Sequence, residues 1–472
     1  MVIRFLLTTI LLATSLYASE KPNIIVILCD DLGYGDLACY GHPHIKTPNL
    51  DQMAEEGIRF TDFYSTAPVC SPSRVGLLTG RSPNRAGVYD WIPPGNRKRP
   101  DRRDQVHLRK SEITAPQLLQ RAGYATAMAG KWHCNSKFNV PEQPQPGVAG
   151  FDHWLATHNN AAPSHANPKN FVRNGKPVGE TEGYSCQLVA TEGIKWMKSH
   201  LSENVSQPFF LYLAFHEPHE PVASPDEITD TYRSIAYSEK EAEYFANVEN
   251  VDRAVGRVLE QLKTAGIDKK TLVIFTADNG PETLSRYSRA SRSWGRADPL
   301  RGMKLWTTEA GFRVAGIMRW PGRIHEKQVS HQVVSALDFL PTFCELAGVN
   351  PPSGLELDGT SFLPALVGEE MKREKPLVWA FYNSLNSQQV AMRDGDWKVL
   401  AHLDLPKMSN ISDQNVEQVR AAELSGIEIY NLRHDIGEAR NVAPSDPDLR
   451  EQLTRKLKAH YTDLLDHSYV WK

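Results

Sequence analysis

Cysteine is scarce: six in 472 residues, with no Cys-x-x-Cys pair, which excludes a disulfide scaffold and a thiolate zinc site. Charge of either sign is not in excess, and a net charge of −3 gives no nucleic-acid signature. The N-terminal apolar run, Phe5 to Leu16, is too short for a comfortable membrane span. It follows Arg4 and precedes Tyr17-Ala18-Ser19, the pattern of a secretory leader over residues 1–18. No cysteine follows that run, which argues against a lipid anchor and for a periplasmic or secreted protein with no stable membrane attachment. No tandem repeat is evident.

What is present is an ordinary globular composition, 41% hydrophobic with 31 prolines, and a length for one large domain plus a smaller one. Asn-Ile-Ile-Val-Ile-Leu-Cys (23–29) is a continuous apolar run, the mark of a strand buried on both faces. Similar runs precede Gly130-Lys131-Trp132-His133, His216-Glu217-Pro218-His219 and Ala277-Asp278-Asn279-Gly280. Helical spacing recurs between them, over 184–201 and 239–263 for example. Residues 135–183 and 282–302 read as polar loops, the former a long excursion over the active face. Short strands with an Asp394-Gly395 turn signal follow residue 350. The expected fold is α/β: a large, mostly parallel sheet sandwiched by helices over 19–350, then a smaller antiparallel α+β subdomain over 351–472.

Polar residues gather where buried strands end, which is where open α/β sheets bind ligands. Asp30 and Asp31 are costly to bury together unless a cation neutralises them, and Asp278 and Asn279 add oxygen donors suited to a hard ion. Asp30-Asp31 alone reads as a solvated loop or as a hard-metal site, and Asp278-Asn279 alone reads as a turn. The stretch Cys70-Ser71-Pro72-Ser73-Arg74 opens a helix, with Pro72 in its first turn and Arg74 one turn after Cys70. At a positive helix N-terminus, Cys70 could be a nucleophile of depressed pKa.

Cys-Ser-Pro-Ser-Arg followed by Leu77-Leu78-Thr79-Gly80-Arg81 resembles the signature of the formylglycine-dependent (type I) sulfatases. That resemblance implies an alkaline phosphatase-like fold, a Cys70 oxidised to 3-oxoalanine by a maturation enzyme, and hydrolysis of sulfate esters. It implies a metal site of Asp30, Asp31, Cys70, Asp278 and Asn279, with Ca2+ ranked ahead of Mg2+. In the family, the aldehyde hydrate takes the sulfuryl group on one hydroxyl, and its other hydroxyl drives C–O cleavage. The resemblance assigns Lys131 and Lys304 to sulfate oxygens and His133 to the hydrate hydroxyl. It gives His219, rather than its rival His216, the leaving oxygen, and Arg74 the orientation of the nucleophile. Cys29 departs from the pattern, standing where a small residue such as alanine is expected and adding an oxidisable thiol.

Secretion and long loops favour a sulfated carbohydrate as partner, and residues 167–175 resemble stretches of sulfatases acting on galactose-type sugars. Trp154, His158, Asn159, His165 and Arg173 could wall such a sugar, and Arg301 joins the substrate candidates. A phosphomonoester or phosphonate ester hydrolase on the same fold is the alternative, though ligands for only one metal are present. The basic run Arg97 to Arg103 reads first as a solvated loop, and second as a device steering a polyanion.

Overall fold

The computed structural model describes residues 21–284 and 294–472, so the expected leader and part of the 282–302 loop lie outside the described residues. Runs apolar on every residue must be covered on both faces, and the chain winds one large sheet from them. Its first strands are β1 (Asn23–Asp30), β2 (Ile58–Tyr64), β3 (Ala125–Lys131), β4 (His153–Thr157), β5 (Val172–Arg173) and β6 (Lys176–Pro177). It continues with β7 (Phe209–Pro218), β8 (Thr271–Ala277), β9 (Arg313–Arg319), β10 (Gln328–Ser330) and β11 (Val334–Ser335). The order across the sheet is β10-β2-β9-β8-β1-β7-β3-β4-β5-β6, with β11 also paired to β2. β1 is buried along its whole length between two parallel neighbours, β7 and β8.

Side chains of β7 show how both faces are covered. Phe210 packs on Phe343 of the helix Phe339–Ala347, while Leu211 and Leu213 face Gly193 of the helix Ser185–Glu203. Alternate residues of a strand point to opposite faces, so these helices lie on opposite sides. The sheet is mostly parallel, as expected, except that β9 runs against both β2 and β8 and that β5 and β6 form an antiparallel edge. The 135–183 excursion is not all loop: β4 extends the sheet beside β3.

A second sheet has the order β12 (Leu377–Ala380), β13 (Val390–Asp394), β14 (Trp397–Leu403) and β15 (Leu424–Asn431), all antiparallel. Gly395-Asp396 makes the two-residue turn between β13 and β14, one residue on from the Asp394-Gly395 signal, and the helix Pro447–Asp466 closes the unit. Its contact with the large sheet is ionic as well as apolar. Trp379 stacks on Phe312 at 4.4 Å, and the buried Lys398 donates to Glu309 at 2.7 Å. Tyr64 and Arg313 complete the Glu309 carboxylate, while Arg393 reaches Asp62 at 3.1 Å.

The helix Pro48–Glu55 shows a long-range device. Its N-cap Thr47 makes no side-chain capping bond. Asp252, on the helix Glu239–Thr264, instead accepts from the backbone N–H groups of Asn49 (3.2 Å) and Leu50 (2.8 Å). Asp252→Ala is expected to cost about 1–2 kcal/mol, the usual worth of a cap, and to lower the Tm without changing activity. A denaturant midpoint equal to that of the parent protein would show that Asp252 is not the cap.

Candidate active site

The polar residues at the C-terminal ends of β1, β3, β7 and β8 meet the N-terminus of the helix Cys70–Thr79. Pro72 lies in the first turn of that helix and Gly80 ends it in a left-handed conformation (φ 64°). Cys70 and Arg74 are both buried, one turn apart. Gly130, just before Lys131, has φ 112°, and a Cβ there would stand 1.8 Å from the Ala214 carbonyl oxygen. Only glycine lets β3 deliver Lys131 so close to β7. Between Ala214 and Pro218 the β1–β7 register shifts, which turns His216 and Glu217 out of simple alternation.

Three carboxylates and three cations interlock here. Lys131 Nζ donates to Asp30 Oδ2 and Lys304 Nζ to Asp31 Oδ1, each at 2.5 Å. Arg74 clasps Asp278 Oδ2 through Nε (2.9 Å) and Nη2 (2.7 Å), and donates from Nη1 to the Lys131 carbonyl (3.0 Å). Asn279 Nδ2 donates to Asp31 Oδ1 at 2.7 Å, and Lys304 Nζ stands 3.6 Å from Cys70 Sγ. Asp31 (φ 64°), His133 (φ 51°) and Leu305 (φ 66°) occupy left-handed backbone, a strain that clusters at sites whose geometry is over-determined.

Charge and burial set the protonation states. The Lys131 ammonium holds Asp30 well below the usual carboxylate range against its own desolvation. Burial and the neighbouring Asp30 push Asp278 up to about 7. The Cys70 thiol is raised by burial, with Lys131 and Lys304 pulling the other way, so the expectation of a depressed thiol is corrected. Cys29 is wholly buried and its thiol lies well above its ordinary value, chiefly through desolvation. Burial and Lys131 keep the His133 imidazole neutral.

His133 donates from Nε2 to the Ile92 carbonyl (3.0 Å), which leaves the buried Nδ1 as an acceptor. The two rival histidines differ in how they are held. His216 is fully buried and bonded through Nε2 to Thr157 Oγ1 (2.8 Å). His219 is fixed by Nδ1 on the Glu220 carbonyl (2.8 Å), with Nε2 3.7 Å from Asp31 Oδ2.

The donor set fits a hard cation. Ligand atoms of Asp30, Asp31, Cys70 and His219 lie within 4.8 Å of one another. Asp30 Oδ1 and Asn279 Oδ1 are buried without a hydrogen-bond partner, and unsatisfied buried oxygens of this kind are what a hard ion takes up.

The substrate candidates divide. His158 lies 5.8 Å from the His133 ring, and Asn159 keeps a buried Oδ1 without a partner. His165 is buried behind the site, 3.8 Å from Glu217, and Trp154 is buried against Phe138. Arg173 is held by Glu192 and Arg301 by Tyr430 and the Glu438 carbonyl, so neither is drawn into the cluster. Two supporting acids escape sequence reasoning. Asp36, raised to about 6 by burial, ties Gly33, Tyr244 and Arg296 together, and Glu217 anchors the start of the helix Ser185–Glu203. Asp36 lies in the loop after β1 and Glu217 in the His216–His219 stretch, but nothing local marks the partners that either one ties together.

Comparison with known proteins agrees with this assembly. The family model described as Sulfatase matches residues 22–349, and one described as N-sulphoglucosamine sulphohydrolase, C-terminal, matches 303–465. The chain is 34% identical to N-acetylgalactosamine-6-sulfatase of Mus musculus, over 82% of this chain and 72% of that protein. It is 35% identical to arylsulfatase A of Homo sapiens, over 94% of this chain and 88% of that protein. The crystal structure of Ps i-CgsB in complex with k-i-k-neocarrahexaose matches with a TM-score of 0.78 and 28% identity, covering 96% of this chain and 95% of that one. The large sheet carrying these paired acids and lysines is thus an alkaline phosphatase-like fold, and the chain belongs to the sulfatase family of sulfuric ester hydrolases.

Proposed function

We propose that this protein removes sulfate from a sulfated carbohydrate, using a formylglycine made from Cys70 and one divalent cation, Ca2+ ahead of Mg2+. The observation that carries the reading is the convergence of Cys70, Arg74, Lys131, His219 and Lys304 on the paired acids Asp30 and Asp31. Asp30, Asp31, Asp278 and Asn279, with the modified Cys70, would hold the cation, which supplies Lewis acidity toward a sulfate oxygen and lowers the nucleophile's pKa. The aldehyde hydrate supplies two hydroxyls on one carbon, one to bond sulfur and one to drive sulfate off.

The chain's own groups do the rest. Lys131 and Lys304 bind the ester oxygens, and Arg74 fixes the orientation of the residue one turn before it. His133 Nδ1, neutral and without a partner, accepts the proton side of a hydroxyl. His219, as an imidazolium whose Nδ1–H stays on the Glu220 carbonyl, gives its Nε2 proton to the leaving oxygen and is left neutral. His158 and Asn159 are the sugar-facing residues closest to this apparatus. A phosphomonoester or phosphonate reading calls for a second ion, and the two lysines stand against the acids instead.

The names of two relatives support a sugar substrate: one is an N-acetylgalactosamine-6-sulfatase, and Ps i-CgsB holds k-i-k-neocarrahexaose. The same reading takes residues 1–18 as a cleaved leader and the mature protein as periplasmic or secreted. Among the described residues, no helix is long and apolar enough to cross a membrane. The test is tryptic mass spectrometry of the Cys70 peptide from a host with formylglycine-generating activity, paired with sulfate release from sulfated galactose and N-acetylgalactosamine. A loss of ~18 Da at Cys70 with turnover is expected. An unmodified thiol in an active sample would overturn the proposed nucleophile.

A further inference from the structure

The basic stretch Arg97 to Arg103 takes no part in the apparatus above, yet it starts from it. Ile92, whose carbonyl receives His133, also donates its N–H to Ser71 beside Cys70 (2.9 Å). Three residues later Gly95 donates to the Ser136 carbonyl (2.7 Å), and a Cβ there would stand 3.0 Å from Lys137 Cγ. Phe138, next to Lys137, lies 6.2 Å from the His158 ring, which is itself 5.8 Å from His133. Two separate segments, 97–99 and 137, therefore bring cations to the same rim.

Those cations are uncommitted. Arg102 pairs with Asp413 (3.1 Å), Arg103 with Asp101 (2.7 Å) and Asp90 (3.3 Å), and Arg109 with Glu112. Among the described residues, Arg97, Lys98, Arg99 and Lys137 make no ion pair, and Arg97, Lys98 and Lys137 are exposed. Residues 97–110 carry a net charge of +5 in a chain whose net charge is −3. Surface charge is usually interspersed by sign, so an unpaired block of one sign beside a site calls for a partner of the other. The reacting sulfate is already met by Lys131 and Lys304 inside the cleft. What the outer block can meet is a second anionic group on the same molecule.

We infer that Arg97, Lys98, Arg99 and Lys137 form an outer anion subsite, which holds a second sulfate or carboxylate of a multiply charged oligosaccharide while the first ester sits at Cys70. This inference rests on the carbohydrate sulfatase reading and narrows it to polyanionic chains over singly sulfated monosaccharides.

The test uses the matured full-length enzyme and its Arg97→Ala/Lys98→Ala/Lys137→Ala variant, all surface changes that leave the core untouched. 4-Nitrophenyl sulfate, with one charge, reports the inner site. Hexasaccharides of heparin, chondroitin sulfate and carrageenan, bound in a calorimeter and used as competitors, report the outer one. The variant is expected to keep kcat and KM on the aryl ester within about twofold. It should bind the best hexasaccharide about tenfold more weakly. It should also lose most of the affinity drop that the parent shows between about 50 and about 300 mM NaCl. Equal hexasaccharide affinity in both proteins, no binding to the parent, or a parallel loss on the aryl ester would each overturn the subsite. If neither protein turns over any sulfate ester, the sulfatase reading fails, and the calorimetric comparison still decides the subsite.

Discussion

Cys70→Ser is expected to fold normally and to lose sulfate-ester turnover by a factor of about 10³ or more, roughly 4 kcal/mol of barrier. Cys70 is buried at the first residue of its helix, and a hydroxyl fits where a thiol does. Lys131, Lys304 and Arg74 stay in place, so binding of the ester should change little and the loss should fall on kcat. A serine could accept a sulfuryl group, but it lacks the second hydroxyl that releases it. The raised thiol pKa points the same way from another side. An unmodified Cys70 at neutral pH is a poor thiolate, so protein made without the maturation enzyme should be as inactive as the substitution. The check is kcat and KM on one aryl sulfate, with circular dichroism for the fold. Near-parental turnover by Cys70→Ser would remove Cys70 from the chemistry, and near-parental turnover by the unmodified protein would remove the formylglycine.

Chelation should abolish activity to a comparable degree, and Ca2+ should restore it. Thermal stability supplies a second readout, because an ion that binds only the folded state adds about 2.7 kcal/mol at a hundredfold excess over its Kd. Asp278→Asn should lose both the activity and the Ca2+-dependent rise in Tm. The amide preserves the shape that Arg74 clasps at 2.7 and 2.9 Å. Asp278→Ala would strip a buried guanidinium of its partner, at about 3–5 kcal/mol, and would confuse unfolding with loss of the ion. Full activity after exhaustive chelation would remove the cation from the reaction, and a better recovery with Mg2+ would reverse the ranking of the two ions.

Much of this site could be read before any coordinates because its parts sit at the ends of buried strands. Continuous apolar runs such as 23–29 are hard to mistake, although an acid or a lysine directly after one reads alone as a solvated turn. The strand ends made Asp30, Lys131, His219 and Asp278 candidates, the resemblance carried by Cys70 to Arg81 gave them roles, and the structure brings them together. Residues whose roles depend on distant partners were not legible. His153–Thr157 has the texture of a loop segment, and it becomes β4 only because β3 offers it an edge. Arg173 and Arg301 look available in sequence, yet Glu192 and Tyr430 hold them. β9 runs against both β8 and β2, a direction that periodicity does not record. Asp252 caps a helix some two hundred residues upstream, and no local pattern announces that.

The ionic seam between the two sheets bears on how the molecule comes apart. Glu309 lies five residues beyond Lys304, and its buried carboxylate depends on Lys398 from the small sheet. Glu438 accepts the Glu309 N–H, and the Leu385 N–H donates to the Leu305 carbonyl. Peeling off the small sheet would take Lys398 from Glu309 and Arg393 from Asp62, leaving both acids paired to Arg313 alone, and would loosen the loop that carries Lys304. Partial unfolding is therefore nearly as costly as complete unfolding, so the chain should melt in one calorimetric transition despite its two sheets. Limited proteolysis should yield no stable fragment ending before Leu377.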